Sequence, residues 1–267
     1  FQHLTDYSYH RYVHVTPANL SSIASRAAQR GLRTAMLEHV GSGHEDLHTD
    51  LRDVNVSSWI QFTLAFPTTD NGAQLFTIDR SGPTPKPKLG SRTGFLRQYF
   101  HYVRKDAVRV GASSDAAGFD PLAFVNADQR PVVVVKASQG GSVCVRGLPV
   151  GRYGVSYTTA ATVGHELDEI EVVADADLVT GIPAAGVLTV YAVRLGGGVV
   201  IDPDPDPDPD PDPELVRIDP DAPPPVFELS GRLDPDCTRF LEFSTDSTFP
   251  RRTPRLKVKK GIVRYTP

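Results

Sequence analysis

The hydrophobic pattern of the first forty residues changes from a strand-like to a helix-like period and back. Apolar and aromatic residues form short runs over residues 7–13 and 32–40, which is typical of strands. Between them, residues spaced by three and four form one apolar helical face: Leu20, Ile23, Ala24, Ala27 and Ala28. Thr16 and Pro17 suit the start of this helix, and Gly31 suits its end. A strand, a helix and a second strand are predicted.

A second unit of the same kind follows. A Gly-Ser-Gly loop precedes a helical stretch over residues 44–53, and residues 56–66 have the composition of a third strand. Strands alternating with helices through short connections predict a parallel sheet with right-handed crossovers. The pattern alone does not separate the closing strands of an eight-stranded barrel from part of an open doubly wound sheet.

The pattern changes again beyond residue 81. Residues 82–92 are rich in Pro, Gly, Lys and Ser and are predicted to be a loop. Short β-rich runs then recur at close spacing over residues 107–110, 122–126, 132–137, 143–145, 153–158, 169–173 and 187–192. This spacing predicts an antiparallel β-sandwich.

The last part of the chain has a low-complexity segment. Residues 202–213 are six consecutive Asp-Pro pairs, which predict an extended linker of about 37 Å in the polyproline II conformation. Calcium binding by these carboxylates is not favoured, because alternating prolines cannot form an EF-hand loop. Residues 226–230 and 238–244 alternate as a hairpin, and the basic residues 251–260 are read as a solvated strand face.

Four regions are therefore expected: an α/β region over residues 1–80, an all-β sandwich over 81–200, a linker over 201–225, and a further β module over 226–267.

Composition narrows the functional classes. The 267 residues are 40% hydrophobic, enough for a full core, and the net charge of −4 does not favour nucleic acid as a partner. The sequence contains no apolar run of about 18 residues, so no membrane span is predicted. Cys144 and Cys237 fall in different predicted regions, and each is expected to be an unreactive thiol rather than half of a disulfide. The chain is interpreted as an internal piece of a longer protein.

One carboxylate has no obvious structural purpose. Glu38 closes an apolar strand, where a charged residue is uncommon unless it is paired or functional. In a parallel barrel, functional groups gather at the carboxyl ends of the strands. His10, Glu38 and Trp59 each lie toward that end of a separate predicted strand. The sequence therefore predicts a site that these residues share.

These residues resemble a known family. The segments 10–12, 36–38 and 56–59 are similar to strands six, seven and eight of the retaining glycoside hydrolases of clan A, most closely glycoside hydrolase family 30. Residues 99–104 and 108–110 resemble the passage from barrel to sandwich in that family. The resemblance covers about residues 5 to 195 and implies the last strands and helices of a (β/α)8 TIM barrel followed by a β-sandwich. The hairpin near the end resembles the opening of a truncated fibronectin type III-like module.

The resemblance also implies roles for individual residues. Glu38 would be the catalytic nucleophile, His10 or Tyr12 would lie beside it, and Trp59 would form the platform on which a sugar stacks. One departure is that Leu37 precedes and His39 follows Glu38, where the family shows Ser before the Glu and an aromatic after it. This departure bears on the substrate subclass more than on the role of Glu38.

Retaining glycosidases need two carboxyl groups, about 5 to 5.5 Å apart. The resemblance places the second one, the acid/base Glu, upstream of Phe1, so this piece alone is expected to be inactive. Structural roles stay open for all of these residues: a paired buried carboxylate for Glu38, a core aromatic for Trp59 and a hydrogen-bonded core histidine for His10.

Other chemistries are less favoured. Six of the eight histidines precede Asp50, and His44 and His48 share a helix face. No second pair of helical ligands accompanies them, so a polar helix surface is preferred over a zinc site. Neither a metal nor another cofactor is predicted. The expected partner is a carbohydrate, and a monomer at the cell surface or outside the cell is expected. The alternatives are a non-catalytic carbohydrate-binding or adhesion protein and a structural protein of the cell surface.

Overall fold

A computed structural model describes residues 4–13, 15–67 and 69–196, together with the backbone of residues 240–244. The Asp-Pro linker and the basic residues near the end lie outside the described residues, as does most of the predicted last module.

The first part of the chain is a small parallel sheet covered by helices. Strands β1 (Asp6–His10), β2 (Arg33–Glu38) and β3 (Ser58–Trp59) pair in parallel in the order β1-β2-β3. Helix α1 (Pro17–Gln29) connects β1 to β2. Helix α2 (His44–Thr49) continues into a π-helical turn (Asp50–Val54) before β3. The predicted strand-helix alternation is confirmed, whereas closure into an eight-stranded barrel stays a prediction.

Helix α1 begins and ends where its sequence predicts. The Thr16 hydroxyl accepts a hydrogen bond from the Asn19 amide at 3.2 Å, and Pro17 occupies the first helical position. Gly31 follows the helix with φ +61°, a conformation that glycine adopts readily. Leu20 packs with Val54 and Val56, so the apolar face of the helix lies against the segment leading to β3.

The predicted third strand over residues 56–66 is divided in two. Strand β3 ends at Trp59, and β4 (Thr63–Phe66) belongs to a second sheet, which it forms with β5 (Gln74–Asp79) and β6 (Lys86–Leu89). The Ile60 amide still bonds to the Met36 carbonyl at 2.9 Å, and the Thr63 amide bonds to the Ala73 carbonyl at 2.9 Å. The backbone therefore changes partner between these two residues. Strand β6 also lies in the predicted loop 82–92, which is a correction.

Helix α3 (Ser91–Phe100) begins inside this predicted loop and was not predicted. Asp70 stabilises its start, because one carboxylate oxygen accepts bonds from the Ser91 hydroxyl at 3.0 Å and the Arg92 amide at 3.1 Å. Its buried face mixes the apolar Leu96 and Tyr99 with Thr93, Gly94 and Gln98, which weakens the apolar period of the helix in the sequence.

The rest of the described chain forms one large sheet. Its strands are β7 (Val108–Ser114), β8 (Phe119–Val125), β9 (Pro131–Ala137), β10 (Gly141–Val145), β11 (Gly151–Thr159), β12 (His165–Val172), β13 (Leu178–Ile182), β14 (Gly186–Leu195) and β15 (Phe240–Ser244). Their order is β12-β11-β14-β9-β8-β7-β15-β10-β13. Neighbours pair antiparallel except β10 and β15, which are parallel. The strand-rich, mainly antiparallel character is confirmed, and the sandwich itself stays a prediction.

Two results differ from the expectations for the second half. The backbone of β15 lies between β7 and β10, whereas its sequence pattern predicts a hairpin in a separate module. That module lies outside the described residues and stays a prediction. Cys144 is disulfide-bonded, which contradicts the expected unreactive thiol. Cys237 is the only other cysteine of the chain and lies outside the described residues.

Two apolar clusters give the second half its core. The larger cluster joins β9, β10, β11, β13 and β14, with Val135, Val145, Tyr153, Leu178 and Leu188 among its members. The smaller one, which we call the junction cluster, contains Leu47, Leu96, Tyr99, Tyr102, Leu122, Phe124, Val132, Val134 and Val187. Because these residues come from α2, α3 and the large sheet, the junction cluster connects the parallel sheet to the antiparallel one. No helix among the described residues is long and apolar enough to cross a membrane.

Candidate active site

Glu38 lies at the carboxyl end of β2, directly beside the end of β1. The register pairs His10 with Glu38, after an irregularity between Tyr9 and His10. The Arg11 amide donates to the Glu38 carbonyl at 3.3 Å, so the backbone continues the pairing past the end of β1. The Tyr12 hydroxyl donates to Glu38 Oε1 at 2.6 Å. This bond holds one oxygen of the half-buried carboxylate, and Oε2 makes no hydrogen bond to a described residue.

Aromatic rings surround the Tyr12 side of Glu38. The Tyr12 ring is edge-on to the His10 ring at 6.0 Å and to the His39 ring at 5.8 Å. The hydrogen bond to Glu38 is the main reason that the pKa of the Tyr12 phenol lies above its ordinary value of 10. Tyr12 therefore stays protonated and can donate to Glu38 at neutral pH.

Arg11 anchors the segment that carries His10 and Tyr12. Its side chain is 8% exposed and forms ion pairs with two acidic residues. Nη2 contacts Asp46 Oδ1 at 2.8 Å, and Nη1 contacts Asp50 Oδ1. His39, which follows Glu38, lies 3.5 Å from the other Asp46 oxygen. Both acidic residues belong to the α2 region, so Arg11 attaches the end of β1 to the helix layer.

Asp50 is the most enclosed charged group of this region. Its side chain is fully buried and receives hydrogen bonds from Arg11 and from the Trp59 indole N–H, the latter at 3.0 Å. Burial raises the pKa of Asp50 above its ordinary value, while the Arg11 charge acts in the opposite direction. Burial beside Asp50 also raises the pKa of the Tyr9 phenol.

Trp59 has contacts on its edge and on its face. Its N–H is bound to Asp50, and its half-buried ring packs against the cluster of Leu20, Val54 and Val56. Its centroid is 6.4 Å from that of Phe100. The structure thus brings His10, Tyr12 and Glu38 into direct contact, and it connects Trp59 to them through Asp50 and Arg11. A sugar-stacking role for Trp59 stays a prediction.

The loop that follows Glu38 is held by hydrogen bonds from Arg92 of helix α3. Arg92 of α3 donates through Nη1 to the carbonyls of Gly41 and Ser42, the latter at 3.2 Å. The Ser42 hydroxyl donates to Gln61 Oε1 at 3.1 Å. Because Gln61 follows β3, these contacts connect the loops after two neighbouring strands.

Sequence reasoning missed Arg11, Asp46 and Asp50 as members of this region. Arg11 lies between His10 and Tyr12, which the sequence predicted as members of the site. Nothing in this short run of residues indicated that the Arg11 side chain is buried. Asp46 and Asp50 share a helix face at a spacing of four, which was the available signal, since such a pair can receive one guanidinium.

The two helical histidines do not lie together in a metal site. His44 stacks on Phe95 with centroids 4.5 Å apart. His48 is fully buried, its Nδ1 is hydrogen-bonded to the Tyr99 hydroxyl at 2.8 Å, and its Nε2 is 3.4 Å from Asp120. The prediction that His48 lies on a polar, exposed helix surface is therefore wrong. Within the described ranges, no group of three or more His, Cys, Asp or Glu side chains is placed to hold a metal ion.

Comparison with known proteins relates this arrangement to solved structures. No protein-family model matches the chain, and no curated protein matches it. A GH30 endoxylanase from Clostridium papyrosolvens C71 superposes with a TM-score of 0.54 at 14% identity, over 70% of this chain and 48% of that chain. Xyn30A, a glycoside hydrolase family 30 subfamily 8 xylanase from Clostridium acetobutylicum, gives a TM-score of 0.55 at 14% identity, over 72% and 49%.

A third solved structure extends the likeness to another organism. The catalytic domain of the GH30 xylanase C from Talaromyces cellulolyticus gives a TM-score of 0.51 at 16% identity, over 61% of this chain and 41% of that chain. At these identities the likeness concerns the fold. The described chain shares the fold of part of these glycoside hydrolases, and it spans about half the length of the first two and less of the third.

Proposed function

We propose that this chain is the nucleophile-bearing part of a retaining glycoside hydrolase that acts on a β-linked oligo- or polysaccharide. The contact between the Tyr12 hydroxyl and Glu38 Oε1, at 2.6 Å, is the observation that carries this proposal. It fixes one carboxylate oxygen at the carboxyl end of a parallel strand and leaves the other available for attack. Functional groups of parallel α/β enzymes gather at this end of the strands.

The proposed reaction has two steps. Glu38 Oε2 attacks the anomeric carbon, the glycosidic bond breaks, and a covalent glycosyl-enzyme forms while an acid protonates the leaving oxygen. Water then hydrolyses this intermediate. The Tyr12 hydroxyl keeps the carboxylate in one orientation, which favours attack through the remaining oxygen. The His10 ring packs edge-on against the Tyr12 ring, with centroids 6.0 Å apart.

The acid/base group is proposed to come from outside the described residues. Asp46 and Asp50 are the acidic side chains bound to the neighbouring segment, and both are paired with Arg11. Arg11 holds both carboxyl groups in place, away from Glu38 Oε2. The proposed acid/base is a second carboxyl group outside the described residues, at the separation of about 5 to 5.5 Å from Glu38 that a retaining mechanism needs.

A covalent trap tests the proposal on the complete protein that contains this chain. The protein is incubated with activated 2-fluoro glycosides, first the xylosyl form because the similar structures are named xylanases, then glucosyl and galactosyl forms. Peptide mass spectrometry is expected to place the adduct on Glu38. The Glu38→Gln variant is the matched control and should remain unlabelled.

Other outcomes have definite meanings. An adduct on a different carboxylate would overturn the assignment of Glu38. A folded protein that forms no adduct but binds oligosaccharide would be a non-catalytic carbohydrate-binding protein instead.

A further inference from the structure

The imidazole of His39 directly follows the proposed nucleophile and has one accessible nitrogen. Its side chain is 22% exposed. Nδ1 is buried, and Asp46 Oδ2 lies 3.5 Å from it. Nε2 is open to solvent and makes no hydrogen bond to a described residue. The proposed reaction uses Glu38 and Tyr12 but gives this nitrogen no role.

Two other contacts hold the Asp46 carboxylate in place. Its Oδ1 accepts a hydrogen bond from Arg11 Nη2 at 2.8 Å, and its Oδ2 accepts one from the Gly43 amide at 3.3 Å. Gly43 ends the loop that begins at His39, so Asp46 contacts both ends of this loop. A carboxylate beside one ring nitrogen of a histidine commonly sets the orientation of the ring. The contacts of Asp46 therefore restrict where Nε2 of His39 points.

Tyr12 contacts both the Glu38 carboxylate and the His39 imidazole. Its hydroxyl donates to Glu38 Oε1 at 2.6 Å, and its ring is edge-on to the His39 ring with centroids 5.8 Å apart. Tyr12 is 45% exposed, so the surface that these three side chains share is open to solvent. A sugar positioned for attack by Glu38 Oε2 would therefore lie beside the imidazole as well.

The Asp46 carboxylate also determines what the accessible nitrogen offers to a ligand. A neutral imidazole has one N–H donor and one acceptor nitrogen. The carboxylate favours the proton on Nδ1, which it faces, and Nε2 then keeps its lone pair. A hydroxyl group can donate to this lone pair, and it can accept from Nε2 when the imidazole is charged. A hydroxyl group is therefore the partner that suits Nε2 in both protonation states.

We propose that His39 binds a ring hydroxyl of the sugar unit that Glu38 attacks, and so selects sugars that carry this hydroxyl. The inference rests on the proposed function for the identity of the ligand. Asp46 is a positioning residue in this proposal, because it acts on the imidazole and does not touch the sugar. Loss of the contact should lower kcat/KM only for sugars that have the hydroxyl.

Kinetics of the complete protein with monodeoxy substrates test this contact. The substrates are the nitrophenyl glycosides of xylobiose and cellobiose, together with forms in which hydrogen replaces one hydroxyl of the ring next to the nitrophenyl group. With the fully hydroxylated substrate, His39→Phe should lower kcat/KM about threefold to tenfold, as for the loss of one hydrogen bond. With one of the monodeoxy forms, His39→Phe should react as fast as the parent protein, because neither can form the bond.

Two substitutions separate the contact with the sugar from the contacts of His39 inside the protein. His39→Phe keeps a ring against Tyr12 but has neither nitrogen. His39→Asn keeps an N–H group that can donate to Asp46, but its side chain is too short to replace Nε2. Both variants should show the same hydroxyl-dependent loss of kcat/KM. Thermal melting shows which variants are folded, and either one alone decides the test because each lacks Nε2.

His165→Phe is the matched control, because it makes the same exchange at an exposed histidine of β12 in the large sheet. It should have the parent kcat/KM with every substrate. A loss in His39→Phe that is equal for all substrates would overturn the hydroxyl contact, as would parent kinetics in His39→Asn. If the parent forms an adduct on Glu38, either result overturns only the role of His39. A parent protein that forms no such adduct would overturn the proposed reaction.

Discussion

Arg11 and Asp50 form a buried ion pair that joins the end of β1 to the π-helical turn. The Arg11 side chain is 8% exposed and that of Asp50 is fully buried. Asp50 also holds the Trp59 indole, so a single carboxylate positions groups from β1 and β3 on either side of β2. The end of β2, where Glu38 lies, is thereby enclosed by two strands that share one anchor.

Removal of Arg11 should destabilise the fold strongly. In Arg11→Met, Asp50 stays buried without its cation, and breaking a buried pair in this way costs about 3 to 5 kcal/mol. Urea unfolding followed by the fluorescence of Trp59, the only tryptophan, measures the loss. The double variant Arg11→Met/Asp50→Leu should be less destabilised, because it leaves no buried charge.

Arg33→Met is the control for this experiment. Arg33 pairs with Asp6 at 3.1 Å, but its side chain is 65% exposed. Exposed ion pairs contribute little because solvent and salt screen them, so the control should unfold nearly as the parent does. Equal losses in Arg11→Met and Arg33→Met would contradict the anchoring role of Arg11.

Tyr12→Phe should slow the formation of the covalent adduct. The substitution removes the only hydrogen bond that a described residue makes to the Glu38 carboxylate, while an aromatic ring is kept. Because the bond is exposed, we expect a decrease of no more than about tenfold. Rates of 2-fluoro glycoside labelling in the complete protein measure it. Tyr7→Phe, on the strand β1 that precedes Tyr12, is the control and should label at the parent rate.

Trp59→Phe should lower stability through the loss of one hydrogen bond and some packing. The N–H bond to Asp50 disappears, and a buried acceptor that loses a donor costs about 1 to 3 kcal/mol. Circular dichroism during urea unfolding provides the readout, since the variant has no tryptophan. A phenylalanine ring can still stack on a sugar, so the stacking role is tested with Trp59→Leu: unchanged oligosaccharide affinity with lowered stability in that variant would assign Trp59 to the fold. Lowered affinity at full stability would assign it to the substrate.

Acidification should destabilise the protein through His48. Burial lowers the pKa of His48 below its ordinary value of 6.5. The unfolded chain therefore binds a proton near pH 6.5 that the folded protein does not take up, and stability falls as the pH decreases through and below this value. The slope from one such group is at most about 1.4 kcal/mol per pH unit. Unfolding free energies between pH 8 and about pH 5 should decrease less steeply in His48→Gln.

Gln98→Asn is the control for the His48 prediction. Gln98 is as buried as His48 and donates hydrogen bonds to Ser156 and Thr158 at 3.1 and 3.0 Å, but it does not titrate. Its substitution should lower stability by a similar amount at every pH. A His48→Gln profile parallel to that of the parent would show that other groups cause the acid sensitivity.

Helices and strands with clear local signals in the sequence, such as capping residues or a run of valines, were predicted from that sequence alone. Thr16, Pro17 and Gly31 mark the ends of α1, and the valine run of β9 is apolar at nearly every position, so both elements are confirmed. Glu38 was singled out because a carboxylate closes an apolar strand, and its catalytic role stays a prediction. Its contact with Tyr12 requires the parallel register of β1 and β2, which the resemblance implied and the structure contains.

Other features depend on contacts between distant residues. Helix α3 buries Thr93, Gly94 and Gln98, whose partners lie in β5 and β11, so polar positions interrupt its apolar face. The division of the predicted third strand follows from the Thr63–Ala73 pairing, which no local pattern encodes. The buried state of Arg11 likewise depends on two carboxylates more than thirty residues away.

The junction cluster has a consequence for how this molecule melts. Leu47 comes from the helix layer of the parallel sheet, Tyr99 from α3, and Phe124 from the antiparallel sheet, and all three are almost completely buried. Neither sheet can unfold without exposing side chains that the other sheet covers. Calorimetry should therefore record one cooperative heat-absorption peak for residues 4–196, and a cut at residue 80 would leave two pieces with incomplete cores.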